Sequence, residues 1–168
     1  EDDCFGETSW EKAETKLQRE AILSAIKKAG LKPEHIDYAF SGDLLNQCIG
    51  AEYAMRELSI PFFGLYGACS TMTEGLTLAA LVINGGTADY ITASTSSHFC
   101  AAEKQYRLPL EYGGQRTPSA QWTVTGAGCA VLAREPGRVQ ITHLTTGRVV
   151  DFGVTDANNM GAAMAPAA

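Results

Sequence analysis

In the run Gly64-Leu-Tyr-Gly-Ala-Cys69-Ser-Thr-Met-Thr-Glu74 a cysteine stands where a strand turns into a helix, with Gly67 and Ala68 forming the small-residue corner. The first turn of a helix carries partial positive charge from amides without partners, and that charge favours a thiolate or a docked anion. Cys69 therefore reads as a nucleophile or as the floor of an anion site, and either role would have it face a cleft. A small buried cysteine selected for tight helix–sheet packing is the third reading, and spacing alone does not separate the three. A second group follows: His98, Lys104, Arg107 and Arg116, interleaved with Tyr106 and Tyr112. Glu103 and Glu111 lie among them, so the segment 98–116 is net basic inside a chain of formal net charge -6. Such a segment is a solvated polar loop or one wall of an anion pocket, and its place directly after a strand end favours the pocket.

Other polar residues carry weaker signals. Asp43 and Asn46 suit caps for the helix that follows them. His35 sits beside Pro33 on a turn and His143 lies in a strand-like run, which leaves His98 as the histidine of a candidate site. No D-x-D-x-D-G loop is present, so no protein calcium site is expected, and neither a metal nor a cofactor is called for. Gly126-Ala-Gly128 resembles a phosphate loop only superficially, because it opens a strand rather than a helix; close packing explains it better.

These residues need elements to hold them. Thr8 and Glu11 form a capping box ahead of a helix over 9–29, whose stripe of Trp10, Ala13, Leu17, Ala21 and Ala25 is widened by Ile22 and Ile26. Gly30 suits its C-terminal cap. Strands are expected at 36–41, 62–66 and 90–95, and further helices at 44–58 and 70–84. Strands alternating with helices of this length indicate βαβ units and a mainly parallel sheet. Residues 97–120 read as a long loop with one helical turn. The runs 128–133 and 139–149, joined by Arg134-Glu-Pro-Gly137, read as a C-terminal antiparallel hairpin.

Composition removes several function classes. The chain has 168 residues, 45% hydrophobic and 19% charged, as in a globular core. Its longest wholly apolar run, Leu78 to Ile83, is far below the ~20 residues of a membrane span. An acidic balance with pI near 5.0 gives no long-range attraction for nucleic acid. The cysteines at 4, 48, 69, 100 and 129 are odd in number and dispersed, which fits free thiols and excludes the usual zinc spacings. No signal peptide is visible, and both ends look cut, so the chain is read as a fragment: a domain over 1–150 and, at 151–168, the start of a connection to a missing half.

Ala68-Cys69-Ser70, the preceding Ile60-Pro61-Phe62 and the later Thr125-Gly-Ala-Gly-Cys-Ala-Val-Leu132 resemble the N-terminal half of the thiolase and ketoacyl-synthase superfamily. Within it, Gly42-Asp-Leu-Leu-Asn-Gln47, Tyr66-Gly-Ala-Cys-Ser-Thr71, Thr95-Ser-Ser-His98, Glu111-Tyr-Gly-Gly-Gln115, Val124-Thr-Gly126 and Met160-Gly-Ala-Ala-Met-Ala-Pro-Ala-Ala168 are similar to the stage V sporulation protein AD family. The resemblance covers nearly the whole chain.

It implies an α/β, thiolase-like half-domain that lacks its first strand, which would lie between the strands at 36 and 90. It also implies a binding component for dipicolinic acid that works with membrane subunits moving calcium dipicolinate into the developing spore. The expected location is then the cytoplasmic side, peripheral to the spore inner membrane. Dipicolinate is a flat dianion, so Cys69, His98, Lys104, Arg107, Tyr112 and Arg116 become its candidate contacts. The alternatives are a Cys69-dependent acyltransferase, whose His and second Cys would come from the absent half, and a scaffold subunit without a ligand. In thiolases the strand before the nucleophile pairs with its twin across a two-fold axis, which implies a homodimer through residues 62–66.

Overall fold

The computed structural model describes residues 2–106, 123–156 and 159–166. Helix α1 spans Trp10–Lys28 and opens one residue later than the capping box implies: the Ser9 hydroxyl, not Thr8, accepts from the Lys12 amide. At its other end Gly30 adopts φ +72°, and the Gly30 and Leu31 amides donate back to Lys27 and Ile26. That is the Schellman closure glycine allows, with Leu31 beside Ile26 as its apolar contact. Strand β1 (Tyr38–Gly42), helix α2 (Ile49–Leu58), strand β2 (Phe62–Leu65), helix α3 (Thr71–Asn84) and strand β3 (Tyr90–Ser97) follow in alternation. Helix α4 (Phe99–Tyr106), strand β4 (Gly126–Ala133) and the short helix α5 (Met160–Met164) complete the order.

The sheet runs β2-β1-β3-β4. Strands β1, β2 and β3 are parallel, with Gly42 level with Leu65 on one side and Thr95 on the other, while β4 is antiparallel to β3. Two expectations fail here. The antiparallel partner of 126–133 is β3, and residues 139–149 form no strand; they run exposed and irregular, and β4 ends the sheet with a partner on its β3 side alone among the described residues. Nor is there a gap for a first strand between the strands at 36 and 90, since Tyr38–Gly42 pairs residue for residue with Ile91–Thr95. The stretch after β3, expected to hold one helical turn, contains the eight-residue α4. Residues 44–48 stay outside α2, which starts only after Cys48 takes a left-handed φ of 63°.

Helices sandwich the sheet. Ile22, Ile26 and Met55 from α1 and α2 pack with Ile36, Ala39 and Ile60 on one face. Phe40, Leu65 and Ile91 pack with Ala79 of α3 on the other. Gly75 lets α3 approach closely: a Cβ there would sit 3.4 Å from both Ala93 Cβ and Leu65 Cδ1. Burying such side chains contributes about 1.5–3 kcal/mol each.

Candidate functional site

Because β1, β2 and β3 are parallel and in register, their carboxyl ends lie along one edge. The chain leaves β1 into Asp43, β2 into the Gly67–Cys69 corner and β3 into His98. Ligands in open α/β sheets bind outside that edge.

At the corner, Gly67–Ser70 makes a single tight turn before α3. The Ser70 amide and hydroxyl both donate to the Gly67 carbonyl, at 3.0 and 2.7 Å. Ala68 is left-handed at φ +47°, a strained setting for a residue with a Cβ. This backbone swings Cys69 off the sheet. Thr71 takes the fully buried position, and Cys69 is exposed without a hydrogen-bond partner among the described residues. The packing reading therefore fails, and so does the expected cleft: the thiol faces solvent. No side chain caps the first amides of α3, although the Glu74 carboxylate lies against Gly67, where a Cβ would come within 2.5 Å.

At the neighbouring corner, Asp43 is buried and accepts from the Leu45 and Ala51 amides, each at 2.7 Å. It thus caps α2 from the end of β1, as expected of it. The Asn46 side chain makes no capping bond to α2 among the described residues; its backbone amide donates to Gln105 Oε1. Burial pushes the Asp43 carboxyl up from the usual range, against the opposing effect of those amides. Cys48 is buried, and its thiol donates to the Leu65 carbonyl at 3.0 Å.

Sequence reasoning missed a polar group beneath this edge. Helix α1 buries Glu14 and Gln18 alongside Ala13, Ile22 and Ile26, so its inward face is rotated away from the stripe through Trp10 and Leu17. Gln18 Nε2 donates to Ser41 Oγ at 2.7 Å and to the Gly42 carbonyl at 3.1 Å. Ser41 and Ser94 share a hydrogen bond at 2.6 Å. Ser96 Oγ lies 3.0 Å from Glu14 Oε1 and 3.2 Å from Gln18 Oε1. The available signal was the i, i+4 spacing of Glu14 and Gln18 opposite hydroxyls at alternate positions, Ser94 and Ser96, on one strand face.

The remaining expected contacts are scattered. His98 is buried, with Nε2 on the Asp3 carbonyl at 2.8 Å and an edge-on contact to Phe5, so it anchors the N-terminal segment. Lys104 is exposed on α4 and pairs with Glu11 at 3.2 Å. Glu103 is not a solvated loop charge: it is buried and accepts from Thr123 Oγ1 at 2.9 Å. Arg107, Tyr112 and Arg116 lie outside the described residues. A groove of about 500 Å³ between α1 and α2, edged by Ile49, Tyr53 and Arg56, includes none of the candidate contacts. Among the described residues, then, the structure brings Cys69, Asp43 and His98 to one sheet edge but pairs no base with the thiol.

Comparison with known proteins gives both family and fold. A family model for stage V sporulation protein AD matches residues 1–168. The chain is 48% identical over 160 residues to stage V sporulation protein AD of Bacillus subtilis, covering 95% of this chain and 47% of that protein. It thus spans about half the length of the curated relative it matches. Among solved structures, 3-oxoacyl-[acyl-carrier-protein] synthase III from Aquifex aeolicus aligns at a TM-score of 0.54 and 19% identity, over 74% of this chain and 39% of that one. Xanthomonas campestris OleA, solved with bound lauric acid and lauroyl-CoA, aligns at 0.57 and 16%, over 72% and 40%. At such identities the likeness speaks for the fold: the ketosynthase-type, thiolase-like α/β architecture.

Proposed function

Since the chain belongs to the stage V sporulation protein AD family, we propose that it is the thiolase-fold half of a binding protein for dipicolinic acid, serving calcium dipicolinate uptake into the developing spore. The observation that carries the reading is the open corner at Cys69. Its helix start lacks a side-chain cap, so the positive end of the α3 dipole is met by no side-chain hydrogen bond, although the Thr71 amide itself donates to the Ala68 carbonyl. The basic residues of 98–116 supply planar donors for two carboxylates, with Arg107 and Arg116 as the guanidinium candidates and Lys104 and Tyr112 beside them. Membrane subunits would be the partners. No helix among the described residues is long and apolar enough to cross a membrane, which leaves the peripheral, cytoplasmic-side placement as part of the same proposal.

Acyl transfer from Cys69 is the second reading, favoured by an exposed cysteine next to the strained Ala68. It requires a base within reach of the thiol, and among the described residues no base is paired with Cys69; the histidine at this edge, His98, is buried and turns Nε2 to the Asp3 carbonyl. We rank it below binding. A homodimer belongs to the same proposal. Strand β2 is an outer strand of the sheet, its Phe63 side chain is 52% exposed, and pairing with a twin would bury both.

Calorimetry on the intact protein tests the binding reading. Dipicolinate should bind more tightly than benzoate or pyridine, and Arg107→Ala or Arg116→Ala should weaken it about tenfold or more, the scale of a lost charge-assisted hydrogen bond of ~1.5–3 kcal/mol. No preference for dipicolinate would end the reading, and unchanged affinity in both variants would remove the basic segment from the site.

A further inference from the structure

We infer that Glu14 is a neutral carboxylic acid in the folded protein, a proton-carrying latch that donates into the buried hydrogen-bond chain and ties α1 to the carboxyl ends of β1 and β3. Counting hydrogens leads there. The Gly42 carbonyl can only accept, so the Gln18 amide nitrogen must face it, and both Gln18 hydrogens go to Gly42 and Ser41. Gln18 Oε1 then needs a donor, and Ser96 Oγ is the neighbour at 3.2 Å. That hydroxyl has one hydrogen, yet it also lies 3.0 Å from Glu14 Oε1. With Glu14 ionised, the carboxylate and Gln18 Oε1 compete for the one Ser96 hydrogen, and if Gln18 takes it the carboxylate keeps the His98 backbone amide as its donor. With a proton on Glu14 Oε1, the acid donates to Ser96, Ser96 to Gln18, and Gln18 to Ser41, and every hydrogen in the chain has a place.

Two further observations agree. Glu14 Oε2 is buried without a hydrogen-bond partner, a setting far costlier for a charged carboxylate than for an acid. Across Gly50 stands a second carboxyl: a Cβ on Gly50 would lie 3.2 Å from Asp43 Oδ2 and 3.6 Å from Glu14 Cγ. Asp43 takes the backbone amides that favour a charge, which leaves the proton to Glu14.

The titratable groups facing Glu14 are Asp43 from the β1 end, His98 through its backbone amide at the start of α4, and Glu11 on its own helix. Burial and the Asp43 charge raise its pKa to about 7 from 4.5, against the Ser96 hydroxyl and the His98 amide. Ionisation would remove the first donor of the chain and set a second negative charge beside Asp43. The tie that weakens is the one under the sheet edge that carries Cys69.

The sign follows from linkage. The folded value lies above the unfolded one, so this group's contribution is fully present below about pH 4.5, declines as the pH rises, and levels off above about 7. Denaturant unfolding of the intact protein should show it. Relative to wild type, Glu14→Gln, which keeps an N–H donor but cannot ionise, should gain about 70-fold in folding constant between pH 5 and 8, as values of 4.5 and about 7 require. Parallel pH profiles for the two proteins would overturn the latch. Infrared spectra of the wild type supply a measurement that does not depend on the variant folding. A protonated-carboxyl carbonyl band at pH 6 that bleaches as the pH rises through about 7 supports the acid; no such band at pH 6 refutes it.

Discussion

The two strand-to-helix corners at the carboxyl edge are built from similar parts and put to opposite use. Each follows a parallel strand, has a residue in the left-handed region (Cys48 at φ 63°, Ala68 at φ 47°) and places a cysteine just before a helix. At the first corner the buried Asp43 supplies the anion that α2 wants, Cys48 hydrogen-bonds inward to Leu65, and the helix start is closed. At the second, no side chain caps α3 and Cys69 points into solvent. A helix start capped by a buried carboxylate is structural; one without a side-chain cap leaves the positive end of its dipole to a ligand. The difference comes from what the preceding strand ends in: a carboxylate after β1, and Tyr66-Gly67-Ala68 after β2.

Four experiments would break or sharpen that contrast. Gly42→Ala strikes between the corners, because the new Cβ would fall on the Leu65 carbonyl oxygen and 2.8 Å from Thr71 Cγ2. Backbone cannot yield as a side-chain tip does, so a loss of about 3 kcal/mol or more is expected in denaturant unfolding, the upper range for overpacking. Asp43→Ala leaves the Leu45 and Ala51 amides short of an acceptor and should cost roughly 2–3 kcal/mol, with Asp43→Asn recovering part of it. The Asp43 pair would show that the closed corner carries stability, and Gly42→Ala that the two corners need this close approach.

Iodoacetamide should label Cys69 at least ~10-fold faster than Cys48 or Cys129, equivalent to about 1.4 kcal/mol. Burial raises the Cys48 thiol and pushes Cys129 up to about 12. Equal rates for the three thiols would erase the distinction between the corners. Ser70→Ala is the smallest change. It removes an exposed hydroxyl bond to Gly67 and should move the unfolding midpoint by no more than about 0.5 kcal/mol, since the Ser70 amide still holds the turn. A loss as large as that of Asp43→Ala would mean the open corner is structural after all.

Much of the fold was legible before any coordinates. Apolar runs bounded by Gly and Pro marked β1, β2 and β3, and Gly30 and Gly85-Gly86 marked helix ends, because those signals are local. The inward face of α1 was not legible. Glu14 and Gln18 read as surface residues because their partners, Ser41 and Ser96, lie 23 to 82 positions away. The hairpin failed for a related reason. A β-rich run followed by a turn specifies a strand but not its partner, and the partner of β4 is β3, which precedes it in the chain rather than following the turn. Cys69 was picked out correctly as the residue at the corner, yet its exposure depended on the left-handed turn at Ala68, which no pattern announces.

What the sequence determined by itself was the alternation of strands and helices, the family, and the position of a cysteine at a helix start. Each follows from neighbours within about a dozen residues or from motifs read in order. Only the tertiary structure decided the direction of β4, the pairing of β1 with β3 that leaves no room for another strand, and which carboxyl keeps a proton. These depend on which distant groups share one desolvated space. Asp43 has two amides there, while Glu14 has the His98 amide and a contested Ser96 hydrogen, with Oε2 left without a partner. In a low-dielectric interior that difference selects the charged carboxylate and the neutral acid, and nothing in the order of residues along the chain expresses it.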